Sequence, residues 1–108
     1  MKLLKAIVRP DKVDAVRQAL LQEGVTGMTV TEVRGHGQQK GHSAVYRGQE
    51  YAVALLPKIE IEVVVPDHWA TVVCEAIVDA SRTGEIGDGR VFVIPFEEGY
   101  RIRTRELE

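Results

Sequence analysis

Two short stretches of this chain carry residues suited to holding phosphate. Gly87-Asp88-Gly89-Arg90 lies within TGEIGDGR, Thr83–Arg90. Glycines on both sides of an aspartate allow a sharp turn whose backbone N–H groups converge, forming a concave nest for anionic oxygens. RIRTR, Arg101–Arg105, alternates basic residues. On an extended segment Arg101 and Arg103 share one face and offer forked donors to phosphate. Each stretch also has a plain structural reading, since glycine turns are common and an R-x-R on a terminal strand is often a solvated edge. Neither stretch is a Walker A loop, because no GK[ST] occurs. Gly35-His36-Gly37 opens no helix and is therefore no dinucleotide fingerprint.

A third stretch, Gly35 to Lys58, reads GHGQQKGHSAVYRGQEYAVALLPK. It separates two runs that read as paired strands, where a short turn would suffice. Connections this long are uncommon in compact domains, and on a small rigid domain such a loop usually carries the function. His36 and His42 have no third ligand at a diagnostic metal spacing and read as polar loop residues. Tyr46 and Tyr51 are packing anchors, partner contacts or modification targets. No Ser/His/Asp or Cys/His set is marked out for catalysis, and Glu60 with Glu62 reads as a solvated strand face.

The elements that must position these residues follow from patterning. Met1–Arg9 is a strand closed by Pro10, with Leu4, Ala6 and Val8 on one face and Leu3, Lys5 and Ile7 on the other. Asp11 is placed to cap a helix over Lys12–Glu23 with Val13, Val16, Ala19 and Leu20 inward, and Gly24 stops it. Val25–Arg34 is a second strand. Lys58–Val65 alternates strictly, with Ile59, Ile61, Val63 and Val65 on one face. Asp67 is placed to cap a second helix, His68–Ser81, with Trp69, Val72, Val73, Ala76, Ile77 and Ala80 inward. Val91–Pro95 is a fourth strand and Tyr100–Thr104 a short fifth. The order β-α-β-β-α-β predicts an α+β, ferredoxin-like sandwich: two helices on one face of an antiparallel sheet, with a long loop between strands 2 and 3 and a short C-terminal strand.

Composition narrows the class. The 108 residues, 44% hydrophobic, make a single domain spanning 1–108 with enough apolar content for a core. The formal charge is −2 and the basic residues are dispersed, which argues against nucleic-acid binding. The single cysteine, Cys74, reads as a small buried residue. No signal peptide or bilayer-spanning run is present, so the expected location is cytoplasmic. Leu3 and Ile7 on the face away from the helices call for burial by self-association.

Taken together, MKLLKAIVRP, GMTVTEVRGHG, QKGH, VYRGQEY, PKIEIEVVV, RTGEIGDGRVFV and RIRT resemble the PII signal-transduction family, nitrogen regulatory proteins of the GlnB and GlnK kind. The resemblance covers nearly the whole chain. It implies a homotrimer that binds ATP or ADP between subunits, commonly with 2-oxoglutarate and Mg-ATP, and turns over no substrate. The long loop would then dock on protein targets such as an ammonium transporter or enzymes of nitrogen or carbon metabolism. Contact with a membrane would come only through such a transporter.

By resemblance, Gly87, Asp88, Gly89 and Arg90 would cradle phosphates with Arg101 and Arg103, while Thr29, Glu62 and Val64 would line the adenine and ribose pocket. Gly37 and Gln38 would stand beside the nucleotide. Gln39 would help hold Mg and 2-oxoglutarate, and Lys58 would pair a carboxylate of that ligand. Tyr51 matches the tyrosine that many relatives present for uridylylation. Three positions depart from the family pattern: Gln38 replaces an arginine expected at the terminal phosphate, Ala54 an acidic residue, and Gln49 a serine that some relatives phosphorylate. The Gln38 change motivates the alternative of a variant sensing ADP, AMP or a small anion such as bicarbonate. An acylphosphatase-like enzyme would need an arginine-bearing phosphate loop after strand 1, where Arg9-Pro10-Asp11 leads into the helix instead. An RNA-recognition module would need stacking aromatics on its sheet.

Overall fold

The computed structural model describes residues 1–36 and 55–108, together with the backbone of residues 43–46 and 49–52. Strand β1 covers Lys2–Val8, helix α1 Val13–Gln22 and strand β2 Thr29–Gly35. Strands β3, Ser43–Tyr46, and β4, Gln49–Ala52, lie within the long connection. Strand β5 covers Leu56–Val65, helix α2 Ala70–Ser81 and strand β6 Gly89–Pro95. The main sheet is antiparallel in the order β2-β5-β1-β6. Helix α1 packs on α2, and α2 packs on β1 and β6. This is the expected ferredoxin-like sandwich. The long connection also holds its own antiparallel ladder, pairing Ser43 with Ala52 through Tyr46 with Gln49.

Alternation on β1 and β5 builds the core. Leu4, Ala6 and Val8 stand opposite Val63, Ile61 and Ile59 in register, and the helix-facing set Leu4, Ala6, Val8, Ile61, Val63 and Val65 is buried. Val16 and Leu20 of α1 and Val73 and Ile77 of α2 close over it, each at most 1% exposed. Burying side chains of this size stabilises by about 1.5–3 kcal/mol apiece. Helix α1 ends in a Schellman closure. Gly24 sits at φ +81°, its N–H bonds to the Leu21 carbonyl, and Val25 N–H reaches back to the Leu20 carbonyl. That closure uses Val25, so β2 starts at Thr29 rather than at the expected Val25.

Both helix starts differ from expectation. A 3-10 turn, Pro10–Lys12, precedes α1 and another, Asp67–Trp69, precedes α2, and no side chain caps either helix. Asp67 instead accepts the Met1 ammonium at 2.7 Å. The extra turn takes Trp69 out of α2, in which the expected Val73 and Ile77 are buried and Ala80 packs against the core. The buried stripe of α2 runs Ala70, Val73, Ile77 and Ser81, which leaves Trp69 and Val72 40% and 47% exposed rather than inward.

The C-terminal segment folds back on itself. Tyr100 and Leu107 form a single β-bridge, Arg101 N–H donates to the Glu106 carbonyl, and residues 102–104 form a turn. A strand running through Thr104 is therefore replaced by a reversal, so Arg101 and Arg103 do not share the face of an extended segment. On the sheet face away from the helices, Lys5 pairs with Glu60 at 3.5 Å, while Val64, Phe92 and Ile94 stay exposed.

Candidate functional site

The sheet carries two groups of the sequence-predicted residues at different places. The first lines a cleft of about 760 Å³ where the α1–β2 connection faces the end of β5. Thr29 and Glu62 are register partners there. Val64 follows on the same face of β5, and Arg101 enters from the C-terminal reversal. Gly24, Val25, Thr26, Gly27 and Met28 complete one wall, with Trp69 beside them. The Schellman closure sets the path of that wall. Patterning assigned residues 25–28 to the second strand, whereas they belong to the connection before it.

The second group is the glycine turn that enters β6. Gly87 and Gly89 both have left-handed backbone, at φ +101° and +105°. At Gly89 a Cβ would lie 1.8 Å from the Ile7 carbonyl oxygen, so only glycine lets β6 close onto β1 here. Arg90 is exposed at the first rungs of this pairing.

Asp88 does not point outward as a ligand. Its Oδ2 accepts the N–H groups of Thr83 and Gly84, each at 2.8 Å, and its Oδ1 accepts the Thr83 hydroxyl and Arg9 Nε, the latter at 3.0 Å. The Thr83 hydroxyl foremost, with these N–H donors, holds the carboxyl far below the usual carboxylate range against the opposing effect of burial. Asp88 thus shapes the turn between the two glycines.

Lys58, at the base of the long connection, joins this group. Its Nζ donates to the Gly87 carbonyl at 2.5 Å, and the residue is only 6% exposed. Burial lowers its pKa, the Arg9 charge lowers it further, and Asp88 opposes both. Arg9 also donates from Nη2 to the Ile86 carbonyl at 3.0 Å. Sequence reading placed Arg9 only at a strand end and gave Thr83 no role. Arg9 acts through contacts that span 79 and 77 residues of chain, to Asp88 and Ile86, and no local pattern announces them; Thr83 acts through Asp88, five residues on.

One chain does not bring the two groups together. Val64 opposes Leu3 near the start of β1, whereas Gly89 opposes Val8 at its end, about 17 Å further along a strand. The cleft flanks β2 and the glycine turn leads into β6, the two edges of the sheet. Arg103 sits at the C-terminal reversal and is exposed. Gly37, Gln38 and Gln39 lie outside the described residues, and Tyr51 falls in β4, of which only the backbone is described. Among the described residues no group of three or more His, Cys, Asp or Glu side chains is arranged to hold a metal. No helix among them is long and apolar enough to cross a membrane.

The family model described as nitrogen regulatory protein P-II matches residues 1–106. The nitrogen regulatory protein P-II of Haemophilus influenzae is 52% identical over 106 residues, covering 98% of this chain and 95% of that protein. The nitrogen regulatory protein P-II 1 of Escherichia coli K12 has the same identity and coverage. The P-II protein of Rhizobium etli is 49% identical over 108 residues, covering all of this chain and 96% of its own length. A match that runs through the cleft, the glycine turn and the long connection alike places this chain in the nitrogen regulatory protein P-II family.

Proposed function

We propose that the chain is a signalling regulator rather than an enzyme, one that binds ATP or ADP and controls partner proteins of nitrogen or carbon metabolism through its long loop. The observation that carries this reading is the cleft. It gathers Thr29, Glu62, Val64 and Arg101, four residues assigned to nucleotide by resemblance, from three separate parts of the chain. The glycine turn, with the exposed Gly89 and Arg90, supplies a second half-site at the other sheet edge. A homotrimer that sets the cleft of one copy against the glycine turn of the next completes the site. It also covers Leu3, Ile7 and the exposed Val64, Phe92 and Ile94. Lys58 couples the site to the loop, since one ammonium touches the glycine turn while its backbone begins the strand that leaves the loop. An anionic ligand such as 2-oxoglutarate that recruits Lys58, with Gln39 and Mg completing the site, would alter both ends of that link and shift what the loop docks on.

Calorimetry tests the reading. ATP and ADP should each bind, and Arg101→Ala should weaken both by about ten- to a hundredfold, the worth of one charge-assisted hydrogen bond. With Gln38 in place of arginine, ATP should exceed ADP in affinity by less than about a hundredfold. 2-Oxoglutarate should give heat with Mg-ATP and none with ADP. Absence of heat with either nucleotide overturns the reading. Nucleotide heat without any 2-oxoglutarate response favours a sensor of adenylates or bicarbonate, which the Gln38 substitution motivates.

A further inference from the structure

The nucleotide reading makes Arg101 a ligand for phosphate, yet Arg101 already has a carboxylate. Its Nε lies 3.4 Å from Glu108 Oε1, and both residues line the 760 Å³ cleft. The C-terminal reversal builds this contact. Tyr100 pairs with Leu107, Arg101 N–H donates to the Glu106 carbonyl and Glu108 N–H to the Gly99 carbonyl, each at 2.8 Å. In such a ladder Gly99, Arg101, Glu106 and Glu108 fall on one face, and Arg101 and Glu108 are diagonal neighbours within reach of long side chains.

Gly99 makes room for the contact. A Cβ at Gly99 would meet Glu108 Cγ at 3.2 Å and Cβ at 3.4 Å, so the glutamate stem lies over the position a side chain would fill. The Glu108 side chain is consequently only 25% exposed, while that of Arg101 remains 64% exposed and open to a second partner. With Glu62 and Glu108 against Arg101, the ionisable side chains lining the cleft carry one more negative charge than positive. That balance disfavours an anion until Glu108 leaves.

We propose that Glu108 is a built-in competitor for the phosphate-binding arginine, occupying Arg101 in the ligand-free protein and yielding it when a polyphosphate enters the cleft. The inference rests on the nucleotide reading and adds a specificity determinant to it. A ligand must present more charge or more forked geometry to Arg101 than one carboxylate does, so a di- or triphosphate is selected over a monoanion. Displacing Glu108 also frees the last rungs of the reversal, so occupancy of the cleft loosens residues 106–108.

The experiment is calorimetric titration of ATP into the wild-type chain, Glu108→Gln, Arg101→Ala and the double variant at low ionic strength, where surface charges are least screened. Glu108→Gln should bind ATP about two- to fivefold more tightly than wild type, the range for an exposed ion pair. Because a purely structural role would act whatever residue 101 is, the gain should vanish in the Arg101→Ala background. Adding salt should shrink the gain. Equal or weaker ATP binding by Glu108→Gln overturns the proposal while wild-type heat leaves the nucleotide reading standing. A gain that persists without Arg101 overturns it as well. No heat in any of the four proteins removes the nucleotide reading and the competitor with it.

Discussion

Replacing Gly89 with alanine is the sharpest mechanical test of this fold, because Gly84 provides a matched control. Both glycines have positive φ, +105° at Gly89 and +91° at Gly84. An alanine in that region costs about 1–2 kcal/mol wherever it stands. The surroundings differ. Nothing lies within 4 Å of a Cβ at Gly84, whereas at Gly89 it would sit 1.8 Å from the Ile7 carbonyl oxygen, 2.9 Å from its carbon and 3.4 Å from Val8 Cα. All three are backbone atoms of β1, a central strand that cannot swing aside as a side chain can. Restoring a tolerable approach of about 3.0 Å requires the strands to part by about 1.2 Å, which costs about two ladder hydrogen bonds at about 1 kcal/mol each.

Gly84→Ala should therefore lose about 1–2 kcal/mol and Gly89→Ala about 3–4 kcal/mol. The assay is urea unfolding at one fixed protein concentration, since association adds to apparent stability. For a domain of this length the difference of about 2 kcal/mol corresponds to a further fall of about 8–16 °C in Tm. Equal losses at the two positions, or a loss below about 1 kcal/mol at Gly89, would refute the claim that close approach of backbones dictates glycine there.

Further outcomes follow from the Asp88 and Lys58 contacts. Asp88→Ala removes the acceptor for four donors around the glycine turn, and should cost about 2 kcal/mol because most of those donors regain water. Since the Asp88 pKa is depressed in the folded state, its contribution is complete above the ordinary carboxylate value near pH 4. It is lost as pH falls through the depressed value, so wild type should lose stability more steeply than Asp88→Asn below about pH 4 in acid unfolding scans. Lys58→Met relieves a buried ammonium and its repulsion by Arg9 but strips the Gly87 carbonyl of its donor. The opposing effects should leave stability within about 1 kcal/mol of wild type while abolishing any 2-oxoglutarate heat, and a retained response would remove Lys58 from the anion site.

The legible parts of this chain are those set by side chains one to four residues apart. Alternation on β1 and β5 identified the buried faces correctly, because a strand sends successive side chains to opposite sides whatever it packs on. The Val16 and Leu20 stripe and the Gly24 stop were equally readable. Helix starts were less so. An aspartate before a helix satisfies a capping pattern, but the chain took a 3-10 turn at both places, and the long-range pull of the Met1 ammonium claimed Asp67. Val73 and Ile77 of α2 turned inward as expected, whereas Trp69, in the turn, and Val72 are exposed, a difference no local window contains.

The sequence by itself determined the order of the four main-sheet strands and two helices, the helix-facing strand residues and the family, and through the family which residues to expect at a ligand site. Tertiary structure alone decided what those residues do with their hydrogen bonds. It turned Asp88 inward to organise its own loop, buried Lys58 against the Gly87 carbonyl, brought in Arg9 and Thr83, and folded RIRTR into a reversal that hands Arg101 to Glu108. The physical reason is that periodicity reports which side of an element a residue lies on. The partner of a charged or polar group is fixed by which distant segments the sheet order places at the same end, and that depends on the whole fold.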